Sequence, residues 1–323
     1  MMDKCKTLSL KETAKYLKGV ENAVILTHSS PDGDTLGSGF ALKRIIEILG
    51  GKAEVVCGDE IADKFSYLGK AAKIEDKLFC GKTIIAVDVA DIKLMSGIPM
   101  EIKESTDLCI DHHISNKQYA KCLFLDSDAS ACCEIMFDLC KELGITPDKE
   151  LASAIFTGVV TDTGCFQFTN TTPKTHIVAA ELMSLGADSE FIIKLFFETK
   201  SPARLYLEKK VLENLEIHFD GKCALTTLDY ETVHSENSDE SELDGVAGIP
   251  RTVEGVLVGI TLKGKEQGKF KISVRTHAPV DASAICARLG GGGHVRAAGC
   301  QVSGDAETAK KAILESVKKE LNI

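Results

Sequence analysis

The chain has 323 residues, enough for about two domains, and its 44% hydrophobic and 27% charged content is that of an ordinary globular protein. No apolar run reaches 18 residues, which excludes a membrane-spanning helix, and a net charge of −10 argues against gripping a long nucleic acid along its phosphates. The lysine-studded first 18 residues lack the apolar stretch of a secretory signal, so a cytoplasmic location is expected.

Residues 9–17 read as a first helix, with Ser9 capping it and Glu12 three positions on. The apolar run 23–26 reads as a buried strand. It leads into His28-Ser29-Ser30-Pro31-Asp32-Gly33-Asp34-Thr35-Leu36-Gly37-Ser38, and an apolar-periodic helix is expected over 40–49, ended by Gly50-Gly51. One histidine and two aspartates thus sit on a tight turn at the carboxyl end of a strand, with Gly33 letting the turn point the acids apart. That edge of an open α/β sheet is where ligands bind. Carboxylates with imidazole suit a divalent ion such as Mn²⁺.

Residues 53–57 return as a strand. Residues 83–91 form an almost uninterrupted apolar run ending in Asp88 and Asp91, and residues 107–113 repeat the design with Asp111-His112-His113 at the tip. Nearly all-apolar strands alternating with helices predict a parallel sheet covered on both faces. Helices are expected over 129–143 and from Pro147 towards Val160, the second meeting Thr161-Asp162-Thr163-Gly164. A further helix over 173–185 ends at Gly186. A long amphipathic stretch then runs from Asp188 to about His218, interrupted by Pro202.

The expected organisation is a catalytic domain over 1–187, a helical connector over 188–204 and a smaller α/β domain with a mixed sheet over 205–323. In the last, residues 224–228, 255–262 and 269–276 read as strands, the final two joined by the turn-rich 264–268. Residues 235–242 form an acidic loop without an evident role. A helix over 282–289 runs into four glycines and His294, and residues 305–321 form a closing amphipathic helix. The twelve cysteines are scattered without a CxxC pair and read as small core residues kept reduced.

A single aspartate after a strand is usually a cap or turn former, the reading given to Asp91. A single histidine is usually a satisfied residue, the reading given to His176, His218, His234 and His277. The joint pattern is different. Parallel strands bring their carboxyl ends to one edge, so His28, Asp32, Asp34, Asp88, Asp111, His112, His113 and Asp162 converge. Buried together without a cation, these carboxylates would repel at a cost of several kcal/mol. Few lysines or arginines lie near, so divalent ions are the expected remedy. The number of ligands implies two ions, an arrangement that suits displacement at phosphorus, with Asp88 as the bridge between them. A second cluster joins Arg275 to Gly291, Gly292, Gly293, His294 and Arg296. Small residues let backbone amides approach an anion, and the side chains add positive charge. It predicts a phosphate-recognition site in the second domain, with substrate clamped across an interdomain cleft.

The first motif, the Val87-Asp88 strand end, Asp111-His112-His113 and the Val160-Thr161-Asp162-Thr163-Gly164 turn resemble the four ordered motifs of the DHH phosphoesterase superfamily. Gly290 to Gly299 resembles the signature of its DHH-associated C-terminal domain. The likeness runs from about residue 20 to about residue 320. Within the superfamily the plan is similar to the nano-RNase/pAp phosphatase branch. That resemblance implies hydrolysis of phosphate esters in short oligonucleotides, linear dinucleotides such as pApA, or 3′-phosphoadenosine 5′-phosphate, by in-line attack of a hydroxide bridging two Mn²⁺, with Mg²⁺ or Co²⁺ as substitutes. It implies His28, Asp32 and Asp88 around one ion and Asp34, Asp88, His112 and Asp162 around the other. His113 would face the phosphate and assist the leaving group, and Asp111 would orient the histidines from behind. Arg275, His294 and Arg296 would hold the phosphate or sugar end.

One departure is Val295-Arg296, where several relatives carry asparagine or lysine, so Arg296 bears on which terminal phosphate is preferred. The sensor and membrane regions of the cyclic-dinucleotide phosphodiesterases, and the extra oligonucleotide-binding domain of RecJ-type exonucleases, are not seen. Three alternatives stand beside the leading reading: a pyrophosphatase or polyphosphatase of the same superfamily, a cyclic-dinucleotide phosphodiesterase, and a non-enzymatic nucleotide sensor. A polyphosphatase would want a denser basic pocket without space for a base, and a sensor would be expected to have lost a ligand. The expected partner is a short nucleotide, with no long nucleic-acid groove and no membrane. A homodimer is compatible with the sequence.

Overall fold

The computed structural model describes residues 5–323; the first four residues of the lysine-rich start lie outside that range. The chain divides into two compact units, the first ending at Thr199 and the second running over Lys200–Ile323. No described helix is long and apolar enough to cross a membrane.

In the first unit, strands β1 (Lys6–Thr7), β2 (Asn22–Leu26), β3 (Lys52–Val56), β4 (Thr83–Val87), β5 (Leu108–Asp111) and β6 (Cys122–Leu125) form one parallel sheet in the order β1-β6-β5-β4-β2-β3. Their helices are α1 (Leu10–Leu17), α2 (Gly33–Ile48), α3 (Met100–Glu104), α4 (Cys132–Leu143), α5 (Lys149–Asp162) and α6 (Pro173–Ser184). Successive strand residues point to opposite faces. Ala23 and Ile25 enter the core under α1, α2, α4, α5 and α6, whereas Val24 and Leu26 enter a second core on the other face. That second face is covered by α3 and the single turns Asp76–Leu78 and Ile92–Leu94, so the expected double cover is present but uneven.

The strand order reverses between β2 and β4. Chain connections leave in opposite directions there, and the crevice at the strand ends stays open. Strands β5, β4 and β2 lie side by side, about 4.8 Å apart. Their ends carry His112, Asp88 and His28, which places three candidate ligands in a row.

Helix α1 starts as expected, with Ser9 and Glu12 forming a reciprocal capping box. Helix α2 begins seven residues before the expected start at 40, because Asp32 caps it by accepting the Asp34 and Thr35 amides at 3.0 Å each. Small residues such as Gly37 and Ser38 are buried in α2 without an apolar signal. Helix α4 starts at Cys132 rather than residue 129, since Ala131 is extended.

Glycines let α2 and α5 cross closely. A Cβ on Gly37 would lie 2.6 Å from the Ala154 carbonyl oxygen, and one on Gly158 would lie 2.2 Å from Cys133 Sγ and 2.4 Å from Asp34 Oδ1. Gly158→Ala is therefore expected to cost about 1–3 kcal/mol by overpacking. Urea denaturation measures that cost. A loss under about 0.5 kcal/mol would show that the crossing yields instead.

The amphipathic run after Asp188 is not one helix. It comprises α7 (Ser189–Ile193), a wider helical turn over Lys194–Glu198, and α8 (Pro202–Glu213), which Ser201 caps. Its end, Glu216–His218, is strand β7. In the second unit, β7, β8 (Cys223–Leu228), β9 (Val258–Glu266), β10 (Lys269–Thr276), β11 (Gly292–Gly293) and β12 (Ala297–Ser303) form a mixed sheet in the order β11-β12-β10-β9-β8-β7, with only β8 and β9 parallel. The unit's further helices are α9 (Tyr230–Val233), α10 (Leu243–Val246), α11 (Ala282–Ala287) and α12 (Ala306–Leu321). One sheet face packs against α11 and α12, and α8, α9 and α10 pack in a separate apolar cluster with Leu228 of β8. The acidic segment 235–242 and its neighbour Asp244 now have a role. Glu240 and Asp244 pair with Lys265 and Lys263 of β9, at 3.0 and 2.6 Å.

Candidate metal centre

The first motif is a helix start more than a free turn. His28 leaves β2 and donates its Nδ1–H to the Ser29 carbonyl, 2.8 Å away, which frees Nε2. That Nε2 lies 3.7 Å from both Asp32 Oδ1 and Asp88 Oδ2. Asp34 sits in the first turn of α2 and is buried. Its two oxygens accept the amides of Cys132 and Cys133 at 2.6 and 2.9 Å, so the N-terminus of α4 holds this carboxylate with its dipole. Gly33 does not reorient the turn as expected. It has no left-handed φ, and its missing side chain instead makes room for Thr161, whose Oγ1 would lie 2.2 Å from a Cβ there.

Asp88 follows β4 with φ +57°, a left-handed conformation that costs energy for a residue other than glycine. It is 3% exposed, and its Oδ1 has no hydrogen-bond partner among the described residues. Its two oxygens face opposite ways: Oδ2 towards His28, and Oδ1 towards His112 Nε2 and His113 Nδ1, each at 3.5 Å. Asp111 ends β5 fully buried. Its Oδ1 accepts the His112 and His113 amides and His113 Nδ1 at 2.8 Å, while Oδ2 accepts Asn116 Nδ2 at 2.6 Å. Asp111 therefore fixes the His113 ring through Nδ1 and leaves Nε2 for another partner. His112 Nδ1 meets the Ala129 carbonyl at 3.2 Å, leaving Nε2 to point inward at 3.8 Å from both Asp34 Oδ2 and Asp162 Oδ2.

Asp162 is the last residue of α5. The Asn170 amide nitrogen ties its carbonyl oxygen, at 3.1 Å, to that of Ser130, at 2.8 Å. Asn116, Asn170 and the Cys132 and Cys133 amides are contributors that sequence reading missed. The amides carry no side-chain signal, and nothing in the residue order says that Asn170 returns to Asp162.

The charges do not balance within the protein. Burial, with Asp34 and Asp32 nearby, pushes the Asp88 carboxyl well above its usual range. Burial and Asp34 push Asp162 up to about 7. Against its own burial, His28 is raised to about 9 by the Asp32 and Asp88 carboxylates. The imidazole–carboxylate separations of 3.5–3.8 Å are too long for hydrogen bonds. They match the spacing of donors that share an ion about 2.0–2.2 Å away. Among the described residues, three groups have ligand atoms within 4.8 Å of one another: His28, Asp32 and Asp88; Asp34, His112 and Asp162; and Asp88, His112 and His113. The orphaned Oδ1 of Asp88, the sharing of Asp88 between two of these groups through different oxygens, and the mixed oxygen and imidazole donors fit two divalent ions.

The glycine-rich segment of the second unit is a hairpin edge. Gly290, at φ +74°, ends the helical stretch after α11, and Gly292 and Gly293 pair with Gly299 and Ala298 of β12. Gly291 and Gly293 are needed for close packing, since a Cβ on either would lie within 2.7 Å of backbone atoms of β12. The Gly291 and His294 amides are bonded to the Cys286 and Ala297 carbonyls. Gly292, Gly293, His294 and Arg296 remain exposed. The Arg296 guanidinium reaches the Val280 carbonyl at 2.6 Å. Register places Ser273 opposite both Gly299 and Thr261, Arg275 opposite Ala297 and Gly259, and Lys271 opposite Gln301 and Lys263. Arg275, Ser273 and Lys271 thus share one sheet face with Gly299. The sequence pattern pointed to Arg275 but not to Lys271 or Ser273, because only pairing register shows which strand residues share a face.

The model for the DHH family, N-terminal domain, matches residues 22–159, and the DHHA1 domain model matches residues 221–322. The chain is 35% identical to the bifunctional oligoribonuclease and PAP phosphatase NrnA of Thermus thermophilus, over 97% of this chain and 94% of that protein. Its identity to the bifunctional oligoribonuclease and PAP phosphatase NrnA of Bacillus subtilis is 25%, covering 96% and 98% respectively. Among solved structures, an exopolyphosphatase-related protein from Bacteroides fragilis superposes with a TM-score of 0.87 at 25% identity, over 96% of this chain and 95% of that one.

Proposed function

The chain belongs to the DHH family, with a DHH domain followed by a DHHA1 domain, and from that premise we propose that it is a metal-dependent phosphohydrolase of short nucleotides: oligoribonucleotides of a few residues, linear dinucleotides and 3′-phosphoadenosine 5′-phosphate. The observation that carries the chemistry is Asp88, a buried carboxylate whose two oxygens face different sets of candidate ligands. Two divalent ions held there would lower the pKa of the attacking water and offset the charge that builds on the phosphate.

The remaining steps belong to the chain. His28, Asp32 and Asp88 make one ligand set, and Asp34, Asp88, His112 and Asp162 make the other. Asp111 is the positioning residue: it holds His113 by Nδ1 and raises its pKa, against the effect of burial. A protonated His113, held by Nδ1, would use Nε2 to donate a proton to the departing oxygen. Catalysis is assigned to the first unit and recognition of a terminal phosphate or sugar to the second, through Arg275, Gly291, Gly292, Gly293, His294 and Arg296. The mix of imidazole and carboxylate favours Mn²⁺, with Mg²⁺ and Co²⁺ as substitutes, and a cytoplasmic site of action accords with this reading.

The test is a turnover panel with Mn²⁺ on pAp, pApA, a five-nucleotide RNA, cyclic di-AMP and pyrophosphate. Release of nucleoside monophosphate from pApA or the RNA, or of phosphate from pAp, is the expected outcome. Hydrolysis of pyrophosphate alone would replace this reading with a pyrophosphatase.

A further inference from the structure

The metal centre is lined with carboxylates and imidazoles, yet exposed apolar side chains lie next to His113 and two of the candidate ligands. Ile114 directly follows His113 and is 87% exposed. Leu94 is also exposed, and its carbonyl accepts the amide and hydroxyl of Ser29, next to His28, at 2.6 Å each. Phe168 is 55% exposed and belongs to the segment that leaves Asp162.

Phe168 is held by contacts of its own ring as well as its backbone. Gly164, two residues after Asp162, has φ +56°, and a Cβ on it would lie 2.4–2.7 Å from the Cζ, Cε1 and Cε2 atoms of the Phe168 ring. The ring therefore rests on a seat that only glycine leaves open. The Phe168 amide donates to the Thr163 carbonyl at 3.0 Å, and its carbonyl accepts the Thr171 amide at 3.1 Å. Asn170 then ties the segment back to Asp162 and Ser130. The neighbouring Phe166 is turned against His176, with ring centroids 5.1 Å apart. One aromatic of the pair thus anchors the segment and the other presents its ring to solvent.

Phosphate has no use for an exposed phenyl ring, but a nucleobase does. Every base has a π-face, and stacking on an aromatic side chain holds it without reading its sequence. We infer that Phe168 is the stacking platform for a base of the nucleotide whose reacting phosphate lies at the metal centre, an inference that rests on the proposed function. It makes Phe168 a specificity-determining residue: it separates nucleotides from base-free phosphate esters.

The experiment compares pApA with the same dinucleotide lacking its bases, in the wild type, Phe168→Ala and Phe168→Tyr. It also follows the fluorescence of 2-aminopurine riboside 5′-monophosphate, which stacking quenches. Phe168→Ala is expected to lower the kcat/KM preference for pApA over the abasic ester about tenfold and to lose the quenching; Phe168→Tyr restores both. Phe168→Leu keeps the contact with Gly164, removes the ring and is expected to behave as the alanine variant. The metal-induced rise in melting temperature reports that Asp162 keeps its place. Unchanged preference and quenching in the alanine and leucine variants would overturn the inference while leaving the proposed function intact. A wild type that hydrolyses pyrophosphate but no nucleotide would instead overturn the proposed function.

Discussion

Asp88→Asn is expected to abolish turnover of every substrate, lowering kcat at least about a thousandfold, while raising the melting temperature of the metal-free protein. Both effects come from the same atoms. The carboxylate is buried, Oδ1 lacks a hydrogen-bond partner, and Asp34 and Asp32 repel it. Ionised and metal-free, it opposes folding. An amide of the same shape removes that cost, and asparagine tolerates the left-handed φ of +57° better than alanine does. With the charge gone, neither ligand set is complete, so added Mn²⁺ is expected to give little of its wild-type stabilisation. Calorimetry with and without Mn²⁺, alongside turnover of pApA, measures both. Substantial Mn²⁺-dependent turnover by the variant would sink the bridging role.

Chelation is expected to silence the enzyme and to leave a protein whose stability falls as pH rises. Asp162 has a folded-state pKa of about 7, above that of an unfolded carboxylate, so the folded state keeps a proton that the unfolded chain has lost. That contribution declines as pH rises from about 4 to about 7. His28, raised to about 9, contributes stability that is complete below its unfolded pKa of about 6.5 and lost as pH climbs through 9. Asp32 and Asp111 are shifted down, against their burial, by His28 and by His113 with Asn116 respectively. Their stabilisation is already complete above about pH 4 and does not reverse the trend. Metal binding requires deprotonated ligands and so strengthens over the same range. The gap between melting temperatures with Mn²⁺ and with chelator should therefore widen from pH 5 to pH 9. A gap that stays constant or narrows would show that these carboxylates and imidazoles are not the groups the ion displaces protons from.

Several parts of the centre were legible in the residue order because strand physics is local. Apolar runs ending at His28, Asp88 and Asp111 mark strands whose tips are polar, and parallel pairing brings those tips together. Helix α2 was harder to read. Its first turn is Gly33, Asp34 and Thr35, residues that favour turns when judged by propensity alone, and it forms because Asp32 supplies the cap and the core buries Thr35. The stretch after Asp188 is broken at Pro202, as expected, but the wider turn over Lys194–Glu198 ahead of α8 has no signature in its amphipathic pattern.

The sequence by itself determined which chemistry the chain can perform. Aspartates and histidines stand at the ends of apolar strands, and their types and order mark a candidate metal centre. Only the tertiary structure decided how that centre is held. Asp34 is bound by two cysteine amides about a hundred positions away, Asp162 is tied by Asn170, and Asp88 turns one oxygen to His28 and the other to His112. Backbone amides carry no side-chain signature, and the direction of a carboxylate depends on neighbours from other elements. Pairing register likewise decides that Lys271 and Ser273 join Arg275 on one face, and an absent Cβ at Gly164 decides where the ring of Phe168 rests.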